Sequence, residues 1–339
     1  MIDLRSDTVT KPTVAMRRAM ADAEVGDDER DGDPTMRKLE RRVAELLGKD
    51  EALFFPSGVM GNQAAIWALS TPATEVLLDA DAHIIHWELA GAASLSGVQI
   101  LPIAATADVF SADDLRATIR PASRYYPAPS LVCVENTHNG AGGRITSRDE
   151  LRRIQKVARE HKLPIHMDGA RLWNASVASG TSLADFGSCA DTVMVAFSKG
   201  LGAPIGAAVV GARDVMEDVW TARKLFGGAL RQSGMLAAAA LYALDHHLER
   251  LADDHANARL LADALHGAGG CRVVPPDTNI VMIDLPAGKR TQPIVQAAKK
   301  SGLLISEWTT TRIRLVTHLD VSKADCRKAG HVLAKALGS

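Results

Sequence analysis

Cysteine is scarce in this chain: four residues in 339, Cys133, Cys189, Cys271 and Cys326, stand far apart with no Cys-x-x-Cys pair. That spacing offers no disulfide framework and no thiolate metal knuckle. The opening Met1-Ile2-Asp3-Leu4-Arg5 carries no apolar leader, so a reducing cytoplasm is the expected location. Excess charge is lacking too, since 39 Lys and Arg against 40 Asp and Glu leave a net charge of -1, with no basic run. This argues against nucleic acid and an anionic membrane surface as partners, and for a small-molecule substrate. No uncharged apolar stretch approaches the roughly 18 residues of a spanning helix. There is no internal repeat, no low-complexity segment beyond the short run Ala237 to Ala240, and no Walker phosphate-binding pattern.

What is present is concentrated in two short segments, Asp168-Gly169-Ala170-Arg171 and Ser198-Lys199-Gly200. Alone, an Asp-Gly pair is usually a turn and a Ser-Lys pair a solvated surface. Here each closes an apolar run, Leu163 to Met167 and Thr192 to Phe197, and both runs read as buried parallel strands. Leu172 to Ala184 supplies crossover material, and the spacing from Asp168 to Lys199 matches one strand-helix-strand unit of about 30 residues. Both groups then lie at the carboxyl edge of one sheet, where open α/β sheets collect ligands. A carboxylate and an amine at neighbouring strand ends suit pyridoxal 5′-phosphate, whose aldehyde needs an amine and whose ring nitrogen needs an anion.

The rest of the chain alternates in the same manner. Asp33-Pro34 starts a helix with Met36, Leu39, Val43, Leu46 and Leu47 on its apolar face. Glu51 to Phe55 reads as a strand, followed by Pro56-Ser57-Gly58-Val59-Met60-Gly61 and an alanine-rich helix. The amides of Gly58, Val59 and Met60 would face any anion at that helix start, a phosphate for example, although a tight connection without ligand fits the same pattern. Further strands are expected at Glu75 to Leu78, Val98 to Ile103, Ser130 to Glu135 and Gly206 to Gly211. At 339 residues the chain exceeds the roughly 250–300 over which one core keeps growing, so a second, smaller domain is expected. From about Asp245 the pattern changes to a charged helix through His255, strands at Asn279 to Leu285, Leu303 to Ser306 and Arg312 to Val316, and a last helix after Ser322. His161, His246, His247 and His255 read as surface residues, while His86 and His166 stay open. His83-x-x-His86 has metal-like spacing without a third ligand in register, so no metal is expected.

With these residues in view, the chain resembles the L-threonine aldolase branch of the β-eliminating lyase family, among the fold type I pyridoxal phosphate enzymes. The resemblance runs nearly end to end. It includes Asp3-Leu4-Arg5-Ser6-Asp7-Thr8, Gly26-Asp27-Asp28, Pro56-Ser57-Gly58, Met60-Gly61-Asn62-Gln63, Glu135-Asn136-Thr137-His138-Asn139, His166 to Arg171, Phe197 to Pro204, Arg231-Gln232 and Val316-Thr317-His318-Leu319-Asp320. It implies an α/β fold like that of aspartate aminotransferase. Residues 1–12 would reach the active site, 13–245 would form a large domain on a mostly parallel sheet, and 246–339 a smaller α+β domain.

The resemblance also implies roles. Lys199 condenses with the cofactor aldehyde, Asp168 pairs with the ring nitrogen, Arg171 bonds the ring hydroxyl and His83 stacks on the ring. Gly58, Val59 and Met60 take the phosphate, with Lys224 and Arg231 as further cations, supplied by a second subunit. Arg314 clamps the substrate carboxylate with Arg171 nearby, Ser6 adds a hydrogen bond, and His138, or a water it holds, serves as base or orienting donor toward the substrate hydroxyl. The implied reaction is retro-aldol cleavage of L-threonine, L-allo-threonine and related β-hydroxy-α-amino acids to glycine and an aldehyde, in a homodimer or homotetramer. β-Elimination, racemisation and transaldolation use the same cofactor and stay open. The sequence departs from the family pattern at Glu29-Arg30-Asp31-Gly32, where Arg30 replaces an expected tyrosine. If that loop reaches a neighbour's active site, its cation would favour an acidic β-substituent such as that of 3-hydroxyaspartate; the favoured alternative is that Arg30 simply caps a surface loop. Val59 also stands where threonine is common.

Overall fold

The computed structural model describes residues 1–121 and 123–338. Its strands are β1 (Ile2–Asp3), β2 (Glu51–Phe55), β3 (Glu75–Asp79), β4 (Gln99–Ile103), β5 (Pro129–Glu135), β6 (Ile165–Gly169), β7 (Thr192–Ala196), β8 (Ala207–Gly211), β9 (Arg272–Val274), β10 (Ile280–Asp284), β11 (Leu303–Leu304), β12 (Ser306–Thr309) and β13 (Arg312–Val316). Seven of them form one sheet in the order β2-β8-β7-β6-β5-β3-β4. All neighbours are parallel except β8, which runs antiparallel to both β2 and β7.

Every residue of β3, β6, β7 and β8 is buried. That is the signature of a sheet covered on both faces, and it explains why these strands read as continuous apolar runs. The helix Gly58–Leu69 lies tight on this sheet, because a Cβ at Gly61 would fall 3.0 Å from Met194 and 3.1 Å from Val209. Since β8 reverses direction twice over, β2, β6 and β7 end on the same edge. The start of that helix, Asp168 and the Phe197-Ser198-Lys199 segment therefore share one edge of the sheet.

A second, antiparallel sheet, β12-β13-β10-β9, carries the C-terminal part of the chain. Its separate apolar cluster includes Leu261, Ile283, Ile313, Leu315 and Leu333. Leu4 belongs to this second cluster and is fully buried. β1 pairs in parallel with β11, and the amide of Val316 donates to the carbonyl of Leu4 at 2.9 Å. These bonds stitch the N-terminus to the C-terminal part and hold residues 6–8 over the edge of the large sheet.

Three expectations need correction. The single strand expected at Leu303 to Ser306 is two: β11 pairs with the N-terminus, whereas β12 pairs with β13. The charged helix expected from Asp245 is broken after His246 and resumes at Leu251. His247 and His255, expected at the surface, are buried, His247 bonding the Leu201 carbonyl at 2.7 Å and His255 the Asn174 amide at 3.2 Å. Asp254, next to His255, is buried as well, so a run of charged residues does not reveal which of its side chains turn inward.

Candidate active site

Asp168 ends β6 and is buried, with Oδ1 accepting the Ala170 amide at 3.0 Å and Oδ2 accepting Asn62 Nδ2 at 2.9 Å. The orientation of Asn62 is set from behind, since its Oδ1 lies 3.0 Å from His166 Nε2. An amide oxygen only accepts, so Nε2 donates and Nδ1 accepts from the Thr192 hydroxyl at 2.8 Å. Burial pulls the pKa of His166 down to about 4, which keeps this relay neutral. His166 is thus part of the support beneath Asp168. Both Asp168 oxygens meet donors.

On the next strand end, Lys199 lines a cavity of about 180 Å³. Its amine has no partner among the described residues, and burial together with the Arg171 cation lowers its pKa. Arg171 is itself buried and held bidentate by Asp7, with Nε and Nη2 each 2.7 Å from a carboxylate oxygen. Burial would raise the Asp7 pKa, but Arg171 overcomes this and holds the carboxyl far below the usual range. Asn279 donates to Asp7 as well, at 3.2 Å.

Arg314, from β13, reaches the same cavity without a carboxylate partner among the described residues. Its Nη1 donates to Asn139 Oδ1 at 2.8 Å, its Nη2 to the Arg5 carbonyl at 3.3 Å, and its Nε is buried and unpaired. The guanidinium lies 4.7 Å above the Trp308 ring. Trp308 sits at a register shift between Glu307 and Thr309, a bulge that re-aims its side chain. Burial first, then Arg171, pulls the pKa of Arg314 down to about 10, so it stays charged at neutral pH. An unneutralised, half-buried guanidinium over a cavity is a ready receptor for a carboxylate. Ser6 lines the cavity beside it and accepts from the amide and hydroxyl of Thr8 at 3.2 and 2.8 Å.

His83 faces the cavity from the other side. Its Nδ1 is 2.9 Å from Glu88 Oε1, and its Nε2 has no partner among the described residues. Burial works against the charged ring, but Glu88 and then Asp168 outweigh it and raise the His83 pKa. His83, Glu88 and Asp168 offer potential ligand atoms within 4.8 Å of one another. Asn62 Nδ2 donates to both carboxylates, at 2.8 and 2.9 Å, and so bridges the two acids.

The residues fit pyridoxal phosphate on three counts. An unpartnered, half-buried amine stands beside a buried carboxylate that only donors touch. At the start of Gly58–Leu69, Ser57 caps the Met60 amide at 3.2 Å, while the Gly58 and Val59 amides find no acceptor among the described residues. Those two free amides at a helix start suit a phosphate.

Four expected site residues are not brought to the cavity within this chain. His138 is fully buried, with Nδ1 accepting the Ala141 amide at 3.1 Å and Nε2 3.5 Å from Asp79; it cannot touch a substrate hydroxyl from there, which corrects its expected role as base. Arg30 points into solvent, 3.8 Å from Asp27. Lys224 pairs with Glu29, and Arg231 with Asp27 and Glu29, so the acidic 27–29 loop rather than the Gly58 helix start holds both cations. Conversely, Asp7, Asn62, Glu88, Asn139 and Trp308 take part without having been singled out. One signal was available, the polar pair Asn62-Gln63 inside an otherwise apolar helix.

Comparison with known proteins agrees with this geometry. The model of the beta-eliminating lyase family matches residues 3–287. The low-specificity L-threonine aldolase 1 of Arabidopsis thaliana is 40% identical over 332 residues, covering 96% of this chain and 93% of that protein. The low specificity L-threonine aldolase of Escherichia coli (strain K12) is 40% identical over 324 residues, covering 95% of each. Among solved structures, a Leishmania major threonine aldolase superposes with a TM-score of 0.84 at 21% identity, covering 99% of this chain and 100% of that one. A Sphingomonas wittichii serine palmitoyltransferase follows with a TM-score of 0.77 at 19% identity, covering 99% and 86%. Those two likenesses speak for the fold, that of fold type I pyridoxal phosphate enzymes, and the sequence matches speak for kinship. The chain belongs to the beta-eliminating lyase family, in its L-threonine aldolase branch.

Proposed function

We propose that the protein cleaves β-hydroxy-α-amino acids, L-threonine and L-allo-threonine among them, to glycine and an aldehyde with pyridoxal 5′-phosphate as cofactor. The carrying observation is the unpartnered Lys199 amine beside the buried Asp168 carboxylate on adjacent strand ends. The names of the relatives, low-specificity L-threonine aldolases, support the substrate class.

Lys199 would hold the cofactor's aldehyde carbon, Asp168 its ring nitrogen, His83 a ring face, and the Gly58 and Val59 amides, with Met60 at the same helix start, its phosphate. When bound, the cofactor supplies an electron sink for the bond that breaks at Cα. Arg314 binds the substrate carboxylate, steadied by Asn139 and by stacking on Trp308, and Ser6 adds a hydrogen bond. Fixing the carboxylate orients the Cα–Cβ bond for cleavage. Arg171, locked by Asp7, is a fixed positive edge of the site that favours the neutral amine of Lys199. The open Nε2 of His83 takes the proton of the β-hydroxyl, the task that buried His138 cannot perform from its position. Because the pKa of His83 is raised, cleavage strengthens as pH rises through that pKa and the ring loses its proton.

The protein acts as a homodimer or dimer of dimers, a reading supported by large apolar side chains left in solvent, Leu89, Leu225 and Trp220 among them. Four unpaired, buried cysteines suit a reducing cytoplasm, and among the described residues no helix is long and apolar enough to cross a membrane. The test is Lys199→Ala, expected to lose both aldehyde release from L-threonine and the absorbance of the lysine-bound cofactor. Retained aldehyde release would overturn the assignment. Product analysis with L-threonine, L-allo-threonine, L-serine and L-alanine separates aldol cleavage from elimination and racemisation.

A further inference from the structure

Glu88 is a buried carboxylate with no lysine or arginine paired to it among the described residues. Three nitrogens surround it: Asn62 Nδ2 at 2.8 Å, Gln63 Nε2 at 2.6 Å and His83 Nδ1 at 2.9 Å. Asn62 Nδ2 and His83 Nδ1 share Oε1 while Gln63 Nε2 takes Oε2, and the two amide NH2 groups can only donate, so His83 Nδ1 joins them as a third donor. The one proton shared between Glu88 and His83 therefore resides on Nδ1.

The surroundings are shaped for this contact. Gly91 leaves room for Gln63, since a Cβ there would fall 2.8 Å from Cδ and 2.9 Å from Oε1. Directly after Glu88 the chain takes left-handed φ at two non-glycine residues, Leu89 (51°) and Ala90 (57°). This turn leaves Leu89 96% exposed while Glu88 points inward. Backbone strain kept at a buried acid beside a reaction cavity is a mark of function.

We propose that Glu88 is the positioning residue that sets the protonation pattern of His83, holding the proton on Nδ1 so that Nε2 presents its lone pair to the β-hydroxyl of the substrate. This rests on the aldolase reading above. In the reaction the hydroxyl O–H bond breaks and its proton joins Nε2. The freed electron pair becomes the second C–O bond of the departing aldehyde as Cα–Cβ breaks, and the Cα–Cβ pair remains with the glycine carbon. His83 then carries a positive charge faced by Glu88 and Asp168 and opposed by Lys199, while Glu135 holds its backbone amide at 2.7 Å. Glu88 and Asp168 outweigh Lys199 at the ring, and Arg171 and Arg314 stand elsewhere on the cavity wall, so the charged ring is supported at the moment it forms.

Glu88→Leu tests this, because it removes the oxygen that accepts from Nδ1. Asn62 Nδ2 and His83 Nδ1 both meet Oε1, so without that oxygen Nδ1 keeps no acceptor among the described residues and the proton moves to Nε2, where a free imidazole prefers it. The expected result in the holoenzyme is a fall in kcat for L-threonine of about 10²-fold or more with a smaller change in KM. The acid limb of the pH profile should shift to lower pH. An independent readout is the 15N spectrum of histidine-labelled protein with His83 assigned by substitution. Neutral His83 should carry its proton on Nδ1 in the wild type and on Nε2 in Glu88→Leu. A wild-type ring protonated on Nε2, or an unchanged tautomer and pH profile in the variant, would overturn the proposal. If the variant does not fold, the wild-type spectrum decides alone. Should L-threonine yield no aldehyde with any form of the enzyme, the aldolase reading fails while the spectrum still answers for Glu88.

Discussion

Replacing Asp7 with Asn probes the most deeply buried ion pair at the site. Asp7 is fully buried and binds Arg171 through two 2.7 Å contacts. The substitution keeps the shape but leaves a buried guanidinium without its counter-charge, close to Lys199. Breaking one side of a buried pair costs about 3–5 kcal/mol. With an unfolding entropy of about 2.1 cal/mol/K per residue, the 339-residue chain changes by roughly 0.7 kcal/mol per degree near its midpoint, so Tm should fall by about 4–7 °C. The sign with pH follows from the depressed pKa of Asp7: its contribution is complete above the unfolded value of about 3.9 and is lost only in strong acid. Wild type and Asp7→Asn should therefore differ equally at pH 6 and pH 8 and converge on acidification. Thermal and urea unfolding of the cofactor-free protein measure this. A matched replacement of both partners, Asp7→Leu with Arg171→Met, should recover most of the stability while remaining inactive, because apolar substitutes spare the desolvation of two charges. A loss below 1 kcal/mol for Asp7→Asn alone would refute the reasoning.

Further outcomes follow from the same geometry. Arg314→Lys loses the planar stack on Trp308 and the fork toward Asn139, so KM for L-threonine should rise about 10- to 100-fold with a smaller change in kcat, measured by steady-state aldehyde release. His166 has a pKa lowered to about 4, so the unfolded chain takes up its proton first as pH falls; stability should drop by about 3 kcal/mol between pH 6.5 and pH 4, readable as a falling urea midpoint that His166→Gln flattens. Arg30→Tyr should leave the relative rates across a panel of β-hydroxy amino acids unchanged, because Arg30 is exposed and paired with Asp27; a changed ratio for acidic substrates would place this loop at a neighbouring subunit's site.

Strand identity was legible where burial imposed a simple rule. β6 and β7 are buried on both faces, so their apolar runs and terminal Asp168 and Lys199 stood out, and the parallel register between them follows from one crossover of ordinary length. β1 and β11, of two residues each, are too short for any periodicity to register, yet their pairing carries Ser6 and Asp7 to the site. His138 shows the opposite failure: its place after an apolar run marked a strand end, but not that the imidazole turns back toward Asp79 and away from the cavity.

By itself the sequence determined the alternation of strands and helices, the edge at which chemistry gathers, and the cofactor class, because these depend on local burial patterns and on residue types close along the chain. Only the tertiary structure decided which charges meet. Asp7 with Arg171, Arg314 with Asn139, and Glu88 with Asn62, Gln63 and His83 are brought together by contacts distant along the chain or by an inward turn of the backbone. Partner choice for a buried polar group is settled by which donors and acceptors packing leaves within about 3 Å, and that is a property of the assembled core.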